Sequence, residues 1–274
     1  MHGRIKVVRL PNDENYYYWE MFPETWAIQY GNALYCYLLI GQEKALLIDT
    51  AFGRGDFPNV IDRLTDKPIM VANTHGHYDH TGGNPWFPKA YMHPEAVKNC
   101  RRSFGKIDPE FWANMPYPDY KVETVEDGHV FDLGERLVEC IHIPAHSAGS
   151  LAFLDHSKKL LFVGDEFDSG QANLGNIDAV DPFLNNMLKL KSREDEYDFI
   201  LPQHNGAPIT KRYIDDFITN ARDILAGKPH FAIIDDAPGS GPKGPGAFGA
   251  KRLRSRVGQS SIVYNDPDEI KTMK

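Results

Sequence analysis

The sequence predicts an α/β protein built as a four-layer αββα sandwich, with two β-sheets packed face to face and helices on both outer faces. Short apolar runs of strand length and helical segments follow one another through the first half of the chain. The same succession returns in the second half, and a central pair of sheets between helices accounts for it. No composition break across the 274 residues has the character of a linker, so a single domain over 1–274 is expected.

The elements follow in order. Residues 5–10 alternate apolar and basic side chains, as an edge strand does. Residues 15–22 are an aromatic cluster between Pro11 and Pro23 without a clean period. Packing across a sheet face is the favoured reading of that cluster; the other is a pocket wall in which Tyr18 and Trp19 touch substrate. Residues 33–40 and 45–49 flank the polar turn Gly41-Gln42-Glu43-Lys44 and predict a hairpin. A helix is expected over 56–66, with Pro58 in its first turn and Val60, Ile61 and Leu64 on one face. After Lys67-Pro68, the apolar run Ile69–Ala72 is a buried strand.

That strand runs into Asn73-Thr74-His75-Gly76-His77-Tyr78-Asp79-His80-Thr81-Gly82-Gly83. A turn follows, then a short strand at 90–93 and a helix at 94–102. Residues 104–120 are rich in Pro and aromatics. The stretch of about 94–120 therefore has the look of an insertion serving as lid or pocket wall, with Phe111 and Trp112 as candidate substrate contacts. From 121 short strands separated by turns predict an antiparallel meander over 122–125, 129–131, 136–143, 151–154 and 160–163. A helix at 181–196, a buried strand at 199–202 and an amphipathic helix at 209–226 come next. Residues 237–250 are a Gly/Pro-rich loop, and 262–264 a last short strand. The basic stretch 251–256 is expected to be a solvated strand or loop rather than an anion-binding patch.

Composition narrows the function classes. The formal charge is −8, a poor basis for non-specific binding to nucleic acid or to a membrane surface. The partner expected is a small-molecule substrate; the sequence does not set an oligomeric state. Three widely spaced cysteines without a Cys-x-x-Cys fit a reducing compartment and buried packing. No apolar signal region opens the chain, and the longest apolar run is far short of the ~20 residues of a membrane helix. A soluble, cytoplasmic protein is expected.

The chemistry concentrates at the histidine knot. His75 and His77 lie two apart in a loop after a strand and can face one point, while Asp79 and His80 face a second. Four ligands do not complete two ions, since zinc takes roughly four N, O or S donors. Further candidates stand at the ends of predicted strands: His146 after 136–143, Asp165 after 160–164 and His204 after 199–202. The total of five histidines and two aspartates suits two divalent ions about 3.5–4 Å apart, with a bridging carboxylate and hydroxide. Zinc is the default for a histidine-rich site, and iron or manganese is compatible with the carboxylates. His2, His93, His129, His142, His156 and His230 have no such context and are expected to be structural.

The blocks Thr-His-x-His-x-Asp-His-x-Gly-Gly at 74–83, Pro144-x-His146-Ser147-x-Gly149-Ser150, Gly164-Asp165 and a lone His204 before a helix together resemble the metallo-β-lactamase superfamily. The resemblance covers roughly 33–205 and includes Leu47-Ile48-Asp49-Thr50. It departs at Ala145, where Gly is commonest, and at Ser147, where Thr is usual. It implies the αββα metallo-β-lactamase fold. It also implies that His75, His77 and His146 hold a first ion and Asp79, His80 and His204 a second, with Asp165 bridging. Asp79 would also orient the nucleophile or carry a proton to the leaving group. Asp49 would fix a ligand histidine by accepting its other N–H, or else cap a turn. The superfamily's β-lactamases lack the bridging aspartate, whereas thioesterases of the glyoxalase II type, lactonases and phosphodiesterases keep it. A dinuclear hydrolase of a small ester, thioester, lactone or phosphoester is therefore expected, and a true β-lactamase is disfavoured. The alternative on this scaffold is a mononuclear iron enzyme resembling persulfide dioxygenases, using His75, His146 and Asp165. The chain after His204 offers no obvious counterpart of the helical glutathione-binding domain of the glyoxalase II enzymes.

Overall fold

The computed structural model describes residues 8–9, 16–31, 34–101, 114–228, 231–234 and 252–265. An eight-stranded sheet runs in chain order: β1 (Val8–Arg9), β2 (Tyr16–Phe22), β3 (Thr25–Tyr30), β4 (Leu34–Ile40), β5 (Ala45–Ile48), β6 (Ile69–Ala72), β7 (Lys89–Met92) and β8 (Lys121–Thr124). From β1 to β5 neighbouring strands pair antiparallel. Crossovers make β5 to β8 parallel, the first through helix α1 (Phe57–Leu64). The second sheet has the order β14-β12-β11-β10-β9, with β9 (Val130–Asp132), β10 (Leu137–His142), β11 (Leu151–Asp155), β12 (Leu160–Gly164) and β14 (Phe199–Pro202).

Period-two alternation decides which core each side chain enters. On β4, Tyr35, Tyr37 and Leu39 face the second sheet, while Leu34, Cys36 and Leu38 face α1. On β12, Leu160 and Phe162 meet the first sheet; Leu161 and Val163 turn outward to helices α4 (Val180–Lys191) and α5 (Arg212–Leu225). Three buried clusters thus alternate with the two sheets, which is the predicted sandwich. All three cysteines are buried and free. Among the described residues no helix is long and apolar enough to cross a membrane.

Arg136 pins the sheets together. It is 3% exposed and donates through Nε and Nη2 to Asp155 Oδ2 at 2.8 and 2.6 Å. Its remaining bonds go to the Glu24 and Ile40 carbonyls and to Thr25 Oγ1, all on the first sheet side.

Several sequence expectations change. Residues 122–125 do not belong to the meander: β8 pairs parallel with β7 in the first sheet, at the far side of a long connection, and the meander proper is β9 to β12. The helix expected over 94–102 is shorter, with α3 (Pro94–Val97) opened by His93 Nδ1 accepting the Glu95 N–H. The sequence does not predict strand β3. Nor does it predict a third, four-stranded sheet of β13 (Gln171–Asn173), β15 (Phe231–Ile234), β16 (Arg252–Val257) and β17 (Ser260–Asn265), in the order β13-β17-β16-β15. Of the expected 94–120 insertion, residues 102–113 lie outside the described residues, and so does the 237–250 loop.

Candidate metal centre

The ligand-type residues all stand where strands end. His75 and His77 follow β6; Asp79 and His80 lie in the short helix α2 (Tyr78–Thr81). His146, Asp165 and His204 follow β10, β12 and β14. Backbone hydrogen bonds between the sheets tie these ends together: Leu151 N to Thr74 O at 2.7 Å and Tyr35 N to Gln203 O at 2.8 Å. Two glycines permit the close approach. A Cβ on Gly76 would sit 2.3 Å from the Ala96 carbonyl oxygen, and Gly164, at φ +60°, lies against Thr74.

The side chains converge in two adjoining groups. In the first, His77 Nδ1 lies 2.9 Å from His75 Nε2 and 3.2 Å from His146 Nε2. In the second, His204 Nε2 lies 3.5 Å from Asp79 Oδ2 and 3.4 Å from Asp165 Oδ2, while His80 Nε2 lies 3.3 Å from Asp165 Oδ1. Asp165 Oδ2 is also 3.9 Å from His146 Nε2, so this carboxylate stands between the groups. All seven residues expected from sequence are brought together.

The outward-facing atoms show how the ring orientations are set. Asp49 is fully buried; it accepts the Thr74 N–H at 2.8 Å, the Thr74 hydroxyl at 2.7 Å and His80 Nδ1–H at 2.9 Å. The Thr74 hydroxyl, having donated to Asp49, accepts from His75 Nδ1 at 3.1 Å. His146 Nδ1 donates to the Asn173 carbonyl at 3.1 Å. Each of these three imidazoles therefore turns its Nε2 toward the centre, where it can ligate a cation once it carries no proton, the Nδ1–H being inferred from its partner. His80 Nε2 and Asp165 Oδ1 are buried 3.3 Å apart, and among the described residues neither makes a well-formed hydrogen bond. Orphaned polar atoms of this kind cost stability unless something satisfies them, and a divalent cation among imidazoles and carboxylates fits that need.

The electrostatics separate the groups. Burial, and then the neighbouring imidazoles, hold His75 well below the ordinary histidine range, and His77 is lowered to about 4 by burial and by His146. In the other group burial opposes charge on His80 and His204, but the carboxylates around them prevail. His80 is raised well above the usual value and His204 to about 10. Asp165 is correspondingly lowered, its desolvation outweighed by His80 and His204.

Sequence reasoning misses Glu166 and Asn173. Buried Glu166 accepts the backbone N–H groups of Ala145 and His146 at 3.3 and 3.1 Å and the Asn186 amide at 2.7 Å, so it shapes the loop that presents His146. An acidic residue directly after a buried strand end is its only signal. Asn173 acts through its main chain, which no side-chain pattern reveals. Of the aromatic candidates that are described, Trp19 meets Tyr35 edge-on between the sheets, and Tyr18 lies against Trp26. Phe111 and Trp112 lie outside the described residues. A further grouping, Glu139, His156 and Glu196, is at the surface, where Arg193 donates to both carboxylates.

An αββα sandwich that collects histidines and aspartates from four strand ends into paired groups is a metal-binding scaffold. Residues 31–204 match the Metallo-beta-lactamase superfamily, and the chain belongs to that superfamily. It is 27% identical over 164 residues to an acyl-coenzyme A thioesterase, MBLAC2, of Bos taurus, across 49% of this chain and 58% of that protein. It is 26% identical over 213 residues to the atrochrysone carboxyl ACP thioesterase nsrC of Aspergillus novofumigatus, across 74% of this chain and 58% of that one. A hydroxyacylglutathione hydrolase of Aeromonas salmonicida is 28% identical over 139 residues, across 50% of this chain and 47% of that one. The matches span a little over half the length of the first two relatives and just under half of the third. Among solved structures, a metallo-beta-lactamase of Cronobacter sakazakii shares the fold at TM-score 0.59 and 19% identity, over 77% of this chain and 93% of that one. A subclass B3 enzyme of Bradyrhizobium japonicum does so at TM-score 0.56 and 18% identity, over 77% and 92%.

Proposed function

We propose that the protein is a dinuclear metal-dependent hydrolase whose substrate is a thioester. The observation that carries the two-ion reading is Asp165, whose Oδ1 faces His80 at 3.3 Å while Oδ2 faces His204 at 3.4 Å and His146 at 3.9 Å. A carboxylate so placed can serve both groups at once. His75, His77 and His146 would hold one ion, and Asp79, His80 and His204 the other. Zinc suits the donor set, with iron or manganese as substitutes. The choice of thioester over ester, lactone or phosphoester is supported by the relatives named as thioesterases and as a hydroxyacylglutathione hydrolase.

Such a pair of ions, when bound, supplies hydroxide near neutral pH and polarises a carbonyl oxygen. The chain does the rest. Asp49, Thr74 and the Asn173 carbonyl fix three rings so that attack geometry is set before substrate arrives. Asp79 turns Oδ2 toward His204 and His80, and its side chain is 22% exposed, so its second oxygen is free to carry a proton toward solvent. Water oxygen bonds to the carbonyl carbon and the C–S bond breaks; Asp79 hands one of the water's two protons to the departing sulfur and the other goes to solvent, giving carboxylate and thiol.

The test is metal analysis of the purified protein together with thiol release from acyl-coenzyme A and acyl-glutathione esters. About two divalent ions per chain and hydrolysis abolished in Asp165→Ala and His80→Ala are expected. Turnover that survives both substitutions overturns the reading. So does a single iron with persulfide-dependent oxygen uptake and no hydrolysis.

A further inference from the structure

The basic stretch at 251–256 forms most of β16, an inner strand of the third sheet. Arg252 and Arg254, two apart, share one face of it. The other face is taken by α5: Asn220 Nδ2 donates to the Ser255 carbonyl at 2.9 Å, and the Ser255 hydroxyl donates to Asn220 Oδ1 at 2.6 Å. The two guanidinium groups therefore lie on the face turned away from that helix. Strand register carries the same face across to β13, since Arg254 pairs with Val263, and Val263 with Asn173.

Polar side chains form a continuous line there. Arg254 Nη2 donates to Gln171 Oε1 at 2.9 Å, and Gln171 Nε2 donates to Asn173 Oδ1 at 2.9 Å. Arg252 Nη2 donates to the same Asn173 oxygen at 3.1 Å. The main-chain carbonyl of that residue holds His146. One end of the line thus rests on a side chain of the metal centre.

Among the described residues no carboxylate pairs with Arg254. The residue is half-buried, and the acceptor of its Nη2 is a neutral amide. Its Nε is shut off from solvent without a partner. A desolvated guanidinium in that state is unfavourable. The part of the guanidinium that remains accessible matches a phosphate or a carboxylate, which would satisfy the charge.

We propose that Arg254, with Arg252 beside it, is the receptor for a phosphate or carboxylate carried by the thiol half of the substrate, away from the scissile C–S bond. The inference rests on the thioester reading above and names its substrate class: thioesters of anionic carriers rather than of simple thiols.

One acyl group is presented on three thiols: coenzyme A, which bears phosphates; glutathione, which bears carboxylates; and neutral N-acetylcysteamine. The variant Arg254→Met keeps the apolar stem and removes the charge. Its KM for the anionic ester is expected to rise about 10- to 100-fold with kcat little changed, the range for one lost charged hydrogen bond, while the neutral ester shows no such rise. A response confined to the coenzyme A ester assigns phosphate, and one confined to the glutathione ester assigns carboxylate. Calorimetry adds a readout without turnover. Wild type should bind 3′,5′-ADP or S-methylglutathione, neither with a free thiol, more weakly as salt rises, and Arg254→Met should not. Equal KM values in both proteins overturn the proposal. So does an equal loss on neutral and anionic esters, which would make the line of side chains only a support for His146. If Arg254→Met does not fold, Arg254→Lys decides: an intermediate KM for the anionic ester supports the proposal and an unchanged one overturns it. A wild type that hydrolyses no thioester yet binds an anion through Arg254 overturns the thioester reading alone and leaves the receptor standing.

Discussion

Replacing Asp49 by Asn isolates what a single buried carboxylate does for a ligand it touches from behind. Asp49 adopts φ +62°, a left-handed conformation that Asn tolerates and Ala resists by about 1–2 kcal/mol, so Asn is the cleaner probe. Its two oxygens receive three donors: Thr74 N–H, the Thr74 hydroxyl and His80 Nδ1–H. An amide has one accepting oxygen and one donating nitrogen, so one of those sites must set donor against donor. If the nitrogen falls toward His80, the imidazole exchanges its proton to Nε2, the atom that points at the centre. Removing such an outer partner weakens metal affinity about 10- to 100-fold, or about 1.4–2.7 kcal/mol. Competition with a chromophoric chelator reads this directly. The loss should reach both groups, because Asp49 Oδ2 also accepts the Thr74 hydroxyl that in turn supports His75. An Asp49→Asn variant that binds both ions within about twofold of wild type would refute the reasoning, since partner-dependent affinity is its premise.

Two further outcomes concern stability. Asp155→Ala strands the Arg136 guanidinium between the sheets and should cost about 3–5 kcal/mol in urea unfolding, whereas replacing both residues by apolar side chains should recover most of it; equal losses in the single and double variants would contradict this. His93 accepts the Glu95 N–H through Nδ1 and stacks on His142 at 4.0 Å between ring centroids, and burial and then His142 lower its pKa. A lowered folded pKa means that this stabilisation is complete above the unfolded value of about 6.5 and declines as pH falls through it toward the folded value. His93→Asn keeps a capping acceptor that does not titrate, so its stability should fall less than that of wild type between about pH 7 and 5, and parallel curves would count against the assignment.

Legibility followed locality. The hairpin of β4 and β5, helix α1 and the strand leading to His75 are readable because each is specified by contiguous alternation or period and a turn. The seven ligand-type residues are readable because imidazole and carboxylate side chains at strand ends have few other uses. The third sheet is not: β13 is three residues long and pairs in parallel with β17, far away in sequence, so nothing within a short window records it. Placement of β8 fails for a related reason. A four-residue run states that it is a strand without stating which neighbour it takes. Asn173 and Glu166 escape notice because they act on His146 through main-chain atoms, its own or theirs. The role of Arg254 needs both the register of β16 and the line of amides beside it.

If the proposed centre forms, the division of its ligand-type residues between the two sheets has a consequence for synthesis. His75, His77, Asp79 and His80 leave the ribosome together, but His146, Asp165 and His204 come with the second half of the chain. At translation rates of ~5–20 residues per second, the first quartet waits on the order of ten seconds for His204. Until then those four side chains are a nascent chelator with no partners, open to whichever cation the cell offers. The bonds from Leu151 to Thr74 and from Tyr35 to Gln203 form only when the halves dock. Correct metallation of the proposed centre would thereby be deferred to the end of folding, and a cation taken up early would have to survive, or be exchanged during, the closing of the sandwich.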